Sequence, residues 1–140
     1  MKEFSARTTI DATPERIWSI LTDGAHYPEW DPYCERIEGR IAAGEKIKAF
    51  TSLSPGRAFP VRVTTFEPAK RMEWTGGMPL GLFKGVRTFT LAPRNDGTTE
   101  VAVGEVFSGP LLGLFAKSLP DMSEPFREFV EGLKKRAERL

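Results

Sequence analysis

Apolar side chains recur along this chain at two different periods, and the change of period divides it. Phe4, Ala6, Thr8 and Ile10 share one face at period two, which predicts a half-buried strand over 3–10. Thr13 then stands as an N-cap with Pro14 at the first helical position, and Ile17, Ile20 and Leu21 form a short apolar stripe ending near Gly24. A brief helical turn is expected over His26 to Trp30, closed by Asp31-Pro32, because the residue before a proline is pushed out of the α region.

Six extended segments follow, over 33–38, 45–53, 59–67, 71–75, 85–91 and 98–107, with turn signals between them. Successive short strands with brief connections predict an antiparallel meander. The last hairpin is the sharpest, since Arg94-Asn95-Asp96-Gly97-Thr98 carries an Asp-Gly turn that relieves the cost of positive φ. With Arg94 opposite Thr98, Leu91 pairs with Val101, Phe89 with Val103 and Arg87 with Glu105, all on one face.

After Ser108-Gly109-Pro110 the spacing lengthens to three and four, through Phe115, Leu119, Met122, Phe126, Phe129, Leu133 and Ala137. Pro120 and Pro125 interrupt this amphipathic stripe, so a broken helix is expected. Its first piece spans 111–119, and Ser123 caps a second running to about Arg139, with Pro125 in the first turn. At 1.5 Å per residue the second piece is about 25 Å long, enough to cross a small sheet.

A chain of 140 residues without repeats or a low-complexity linker is expected to build one core, in a single domain over 1–140. With 40% hydrophobic and 28% charged residues, its composition is that of a globular protein. No apolar run approaches the roughly 20 residues of a spanning helix, and Met1 to Ser5 lack the stretch of a signal peptide. The expectation is therefore a cytoplasmic protein without membrane insertion. Twenty basic residues against 19 acidic ones argue against nucleic acid as a partner. Cys34 is alone, and with the single His26 it supplies too few soft ligands for a structural zinc, so neither metal nor other cofactor is expected. Cys34 reads as a small apolar residue at a strand start rather than a nucleophile paired with His26, and His26 as a surface or capping residue.

The order strand, two short helices, six strands, long helix resembles the Bet v 1/START-like superfamily, and within it the bacterial polyketide cyclase/dehydrase-like (SRPBCC) proteins. The likeness runs along the whole chain. It is carried by Ile10-Asp11-Ala12-Thr13-Pro14-Glu15-Arg16-Ile17-Trp18, by Tyr27-Pro28-Glu29-Trp30-Asp31-Pro32-Tyr33, and by Glu67-Pro68 followed by Arg71-Met72-Glu73-Trp74. Phe89-Thr90-Leu91, the Asp96-Gly97-Thr98 turn and Glu105-Val106-Phe107-Ser108-Gly109-Pro110-Leu111 complete it. The resemblance implies an α+β helix-grip fold: a curved seven-stranded antiparallel sheet wrapped around a long C-terminal helix, with two short helices after strand 1. It also implies a cavity between sheet and helix, which relatives use for lipids, polyketides, hormones and other hydrophobic ligands. Members include cyclases, dehydratases, lipid carriers, receptors and co-chaperones, so the fold alone does not choose a function.

Trp30, Trp74, Phe89, Phe107, Phe115 and Phe126 fall on sheet and helix faces that would meet, and with Val103, Leu119 and Met122 they form the candidate ligand lining. Each taken singly also reads as a core residue. Arg87 and Glu105 are the polar candidates, because the register places both charges on the apolar face, where a charge is costly unless paired. They read either as a structural ion pair or as an anchor, with Arg87 donating to a carbonyl, hydroxyl or carboxylate of the ligand. In an enzyme, Glu105 is the candidate base and Arg87 the group that stabilises a developing enolate. The chain carries no complete catalytic constellation. The primary expectation is therefore binding of a small hydrophobic ligand that is polyketide-, lipid- or aromatic-like. A cyclase or dehydratase is the alternative, and a co-chaperone-like interaction module a second. Gly76 to Phe83 reads as a flap beside the entrance or a homodimer contact, and contains no GxGxxG. Lys134 to Arg139 reads as the solvated end of a helix.

Overall fold

The computed structural model describes residues 1–115 and 119–139; residues 116–118 and 140, and the side chain of Phe115, lie outside the described residues. Strand β1 (Lys2–Ile10) is followed by α1 (Pro14–Leu21) and a 3-10 turn (Gly24–Glu29). Strands β2 (Cys34–Glu38), β3 (Lys46–Thr51), β4 (Ala58–Glu67), β5 (Arg71–Gly77), β6 (Lys84–Pro93) and β7 (Thr99–Ser108) come next, and α2 (Leu112–Phe115) and α3 (Ser123–Glu138) close the chain. The strands form a seven-stranded antiparallel sheet in the order β1-β7-β6-β5-β4-β3-β2, so the meander is completed by β1 returning to pair with β7. The pairing slips between Cys34 and Arg36 and again between Val63 and Thr65, and such bulges bend a sheet.

Local chemistry explains the elements. The Thr13 hydroxyl accepts from the Arg16 backbone N–H at 3.2 Å, capping α1 with Pro14 in its first turn. In the β6–β7 hairpin the Arg94 N–H donates to the Thr98 carbonyl at 2.8 Å, and Gly97 takes φ 87°. Leu91 then faces Val101, Phe89 faces Val103 and Arg87 faces Glu105, as the turn chemistry requires.

Two expectations about the helices are corrected. Ser123 is the first helical residue and not the cap, which falls on Met122 without a side-chain bond; instead the Asp121 carboxylate accepts from the Ser123 N–H at 2.9 Å. The described part of the first piece is only Leu112–Phe115, and Leu119 and Pro120 are not helical, because Pro120 drives its predecessor out of the α region. The basic end of α3 exposes Lys135, Glu138 and Arg139 to solvent, and it is also tied to the rest of the fold. Lys134 donates to the Thr9 carbonyl at 2.8 Å, Arg16 donates to the Ala137 carbonyl at 2.6 Å, and Arg136 pairs with Glu29 at 2.9 Å.

These ties hold α3 mainly along β1 and β7, and the core forms there. Phe126, Phe129, Val130, Leu133 and Ala137 of α3 are buried against Ile10, Phe89, Leu91, Val101 and Val103, with Ile17 and Leu21 of α1 at one end. Phe129 joins the aromatic cluster, 5.0 Å from Trp30 and 5.8 Å from Phe89 between ring centroids, and Tyr27 lies 4.6 Å from Trp30. Among the described residues no helix is long and apolar enough to cross a membrane.

Candidate functional site

Because α3 follows β1 and β7, the concave face of β3, β4 and β5 is left partly open beneath its N-terminal end, and a cavity of about 650 Å³ lies there. Ligand pockets commonly enclose roughly 300–1,000 Å³. Ala49 and Val61 line one wall, Met122 and Phe126 another, and Tyr27, Trp74 and Phe129 the inner end. Exposure rises from 4% at Trp74 to 36% at Leu53 and 41% at Met78, so the cavity opens where the loops after β3 and β5 meet its rim.

Of the residues singled out in the sequence, Trp74, Arg87, Glu105, Phe107, Leu119, Met122 and Phe126 come together on this wall. Trp30, Phe89 and Val103 sit in the packed core behind it. The boundary follows from the reach of α3. Phe129 covers Phe89, whereas the next inward pair along the hairpin, Arg87 and Glu105, lies beyond that ring and borders open space. Phe115 belongs to α2, and its side chain is outside the described residues.

Arg87 places both Nε, at 2.9 Å, and Nη2, at 2.8 Å, on the same Glu105 oxygen, Oε1. Its guanidinium lies 5.0 Å from the centre of the Phe126 ring. Glycine at position 85 makes room for this pair, since a Cβ there would stand 3.0 Å from Glu105 Oε2.

Sequence reasoning passed over Asp31, along with the lining residues Tyr33, Phe50 and Phe59. Asp31 was legible only as a helix stop. In the structure it lines the cavity, with Oδ1 accepting from the Tyr33 N–H at 3.1 Å. Burial pushes its carboxyl up to about 6, opposed by the Tyr33 N–H and the positive charge of Arg87. Between about pH 4 and 6 the folded chain therefore binds more protons than the unfolded one, and stability falls as pH rises through that window. Asp31→Asn keeps an oxygen for the Tyr33 N–H and removes the buried charge. Thermal melts should show the variant more stable than the parent by about 2 kcal/mol at pH 7.5, with the difference gone near pH 4. An equal or lower melting temperature at pH 7.5 would show that the carboxylate is well solvated.

Cys34 also lines the cavity, at the start of β2, and burial pushes its thiol up to about 12, which leaves it protonated and unreactive near neutrality. His26 is exposed and lies away from the cavity wall, its Nδ1 2.7 Å from Asp23. That contact raises the His26 pKa. The indole N–H of Trp74, on the wall, is buried without a partner among the described residues. Among the described residues no three His, Cys, Asp or Glu side chains gather as a metal site. Gly76, Gly77, Met78 and Phe83 border the cavity, and Leu80 projects from the intervening turn at 98% exposure.

A family model described as polyketide cyclase / dehydrase and lipid transport matches residues 1–138. No curated protein sequence matches. Among solved structures, a hypothetical protein of Helicobacter pylori is similar at TM-score 0.79 and 16% identity, over 98% of this chain and 88% of that one. The Zhui aromatase/cyclase of a Streptomyces strain is similar at TM-score 0.75 and 13% identity, over 99% and 94%. A START superfamily protein of Mycobacterium smegmatis is similar at 0.69 and 18%, over 97% of each chain. At these identities the structures establish a shared fold, the helix-grip arrangement of curled sheet and C-terminal helix.

Proposed function

This chain belongs to the polyketide cyclase/dehydrase and lipid transport family, and on that premise we propose that it binds a small hydrophobic molecule in the cavity between its sheet and α3. The observation that carries the reading is the cavity itself. It is about 650 Å³, walled by Trp74, Phe107, Phe126 and Phe129, and holds a few polar groups at its inner end. A co-chaperone-like module would be expected to have a sealed or much smaller hollow. A cyclase or dehydratase would use Arg87 to stabilise a developing enolate, whereas both Arg87 contacts are already taken up by Glu105 Oε1. That geometry favours binding over catalysis.

Ala49 offers the test, because it is a small side chain on the wall of β3 with open space before it. Native mass spectrometry of protein purified from its own host should reveal a bound apolar compound, released on denaturation. An environment-sensitive dye should bind the parent with an affinity that Ala49→Phe lowers at least about tenfold, with the melting temperature of the variant unchanged. If neither a host compound nor any of a broad panel of apolar probes is retained, the binding reading fails.

A further inference from the structure

Among the described residues, the charges on the cavity wall do not balance at its inner end. Arg87 and Glu105 satisfy one another, with both guanidinium contacts on Glu105 Oε1. Arg57, the other lining cation among the described residues, is exposed at the rim, where its guanidinium lies 5.1 Å from the Phe59 ring centre. Asp31 is left over. Among the described residues its carboxylate has one hydrogen bond, from the Tyr33 N–H, and no ion pair. A partly buried carboxylate without a counter-ion is costly, and the cost is removed by a cation brought into the same space.

We propose that the inner end of the cavity is a site for the ammonium group of an apolar amine, with Asp31 as its counter-ion. The inference rests on the ligand-binding reading above and adds to it the charge of the ligand. Aromatic rings support it independently, since Tyr27, Tyr33, Trp74 and Phe126 line the same cavity and ring faces attract organic cations. A carboxylate-bearing ligand is disfavoured by the same geometry. It would have to draw Arg87 away from Glu105 and leave two carboxylates, Glu105 and Asp31, beside its own.

The titratable and charged groups around Asp31 are Arg87 from β6, Glu105 from β7, Cys34 from β2, and the phenols of Tyr27 and Tyr33. Cys34 stays a thiol at neutral pH, and the Tyr27 hydroxyl donates to the Leu21 carbonyl at 2.6 Å. Asp31 changes charge between pH 5 and 7.5, as burial holds its carboxyl near 6.

A matched series on one ring system tests the charge alone: 2-naphthylmethylamine, 2-naphthalenemethanol and 2-naphthoate, each competing with a cavity-bound dye. At pH 7.5 the amine should bind at least about tenfold tighter than the alcohol, and the carboxylate weaker than both. The preference for the amine over the alcohol should shrink to about threefold or less at pH 5 and in Asp31→Asn. An alcohol that binds as tightly as the amine, or an amine preference that survives Asp31→Asn, overturns the proposal and leaves the ligand-binding reading intact. If none of the three compounds nor any other apolar probe binds, both fall together.

Discussion

Glu105→Ala should destabilise the protein by about 2 kcal/mol, whereas the double substitution Arg87→Met, Glu105→Leu should stay within about 1 kcal/mol of the parent. The two side chains face each other across β6 and β7 with exposures of only 27% and 15%, and each accounts for the other's charge. Removing Glu105 strands the Arg87 guanidinium on an apolar wall, where the Phe126 ring compensates only in part. Removing both charges together deletes the desolvation cost along with the attraction. Urea denaturation of the parent, Arg87→Met, Glu105→Leu and the double variant gives the coupling directly. Single substitutions whose costs simply add to that of the double variant would show a pair screened by water. Binding should also separate the two variants, because the double variant has a wholly apolar wall at that point and should favour ligands without polar groups.

The pairing of Arg87 with Glu105 was legible in the sequence because two independent constraints agree on it. The Asp96-Gly97 turn fixes where the hairpin reverses, and period-two alternation from Leu91 to Arg87 fixes the face. Which inward residues meet a ligand was not legible. Alternation assigns Phe89 and Arg87 to the same side, but the position of α3 decides that the first is covered and the second is not, and that position depends on ties such as Lys134 to Thr9 and Arg16 to Ala137 that link distant parts of the chain. Asp31 illustrates the same limit. Before a proline it reads as punctuation, and its other role exists only because β2 and the 3-10 turn carry it to the inner end of the cavity. At the start of α3 the expected cap is Ser123, and the structure uses the Asp121 carboxylate instead, a short-range contact that periodicity alone does not select.

Gly132→Ala should have a large effect for a single added methyl, and with the sign opposite to that expected from the helix alone. In a helix interior alanine is favoured over glycine by about 1 kcal/mol. At position 132, however, an added Cβ would stand 1.9 Å from the carbonyl oxygen of Trp30 and 3.1 Å from its carbonyl carbon. Backbone cannot swing aside as a flexible side chain can. Trp30 is moreover held by its N–H bond to the Tyr27 carbonyl at 3.1 Å and by ring contacts with Tyr27 and Phe129. Helix α3 must therefore back away from the 3-10 turn, and the rings that floor the cavity lose their packing. The expected loss is about 3 kcal/mol by urea denaturation, with the dye affinity falling in parallel because Tyr27 and Phe129 belong to both the cluster and the cavity wall. Gly113→Ala in α2 is the control, since among the described residues a Cβ there meets nothing within 4 Å, and it should be neutral or slightly stabilising. A Gly132→Ala protein as stable as the Gly113→Ala one would mean that α3 stands farther from Trp30, and would remove the packed floor on which the inner end of the cavity depends.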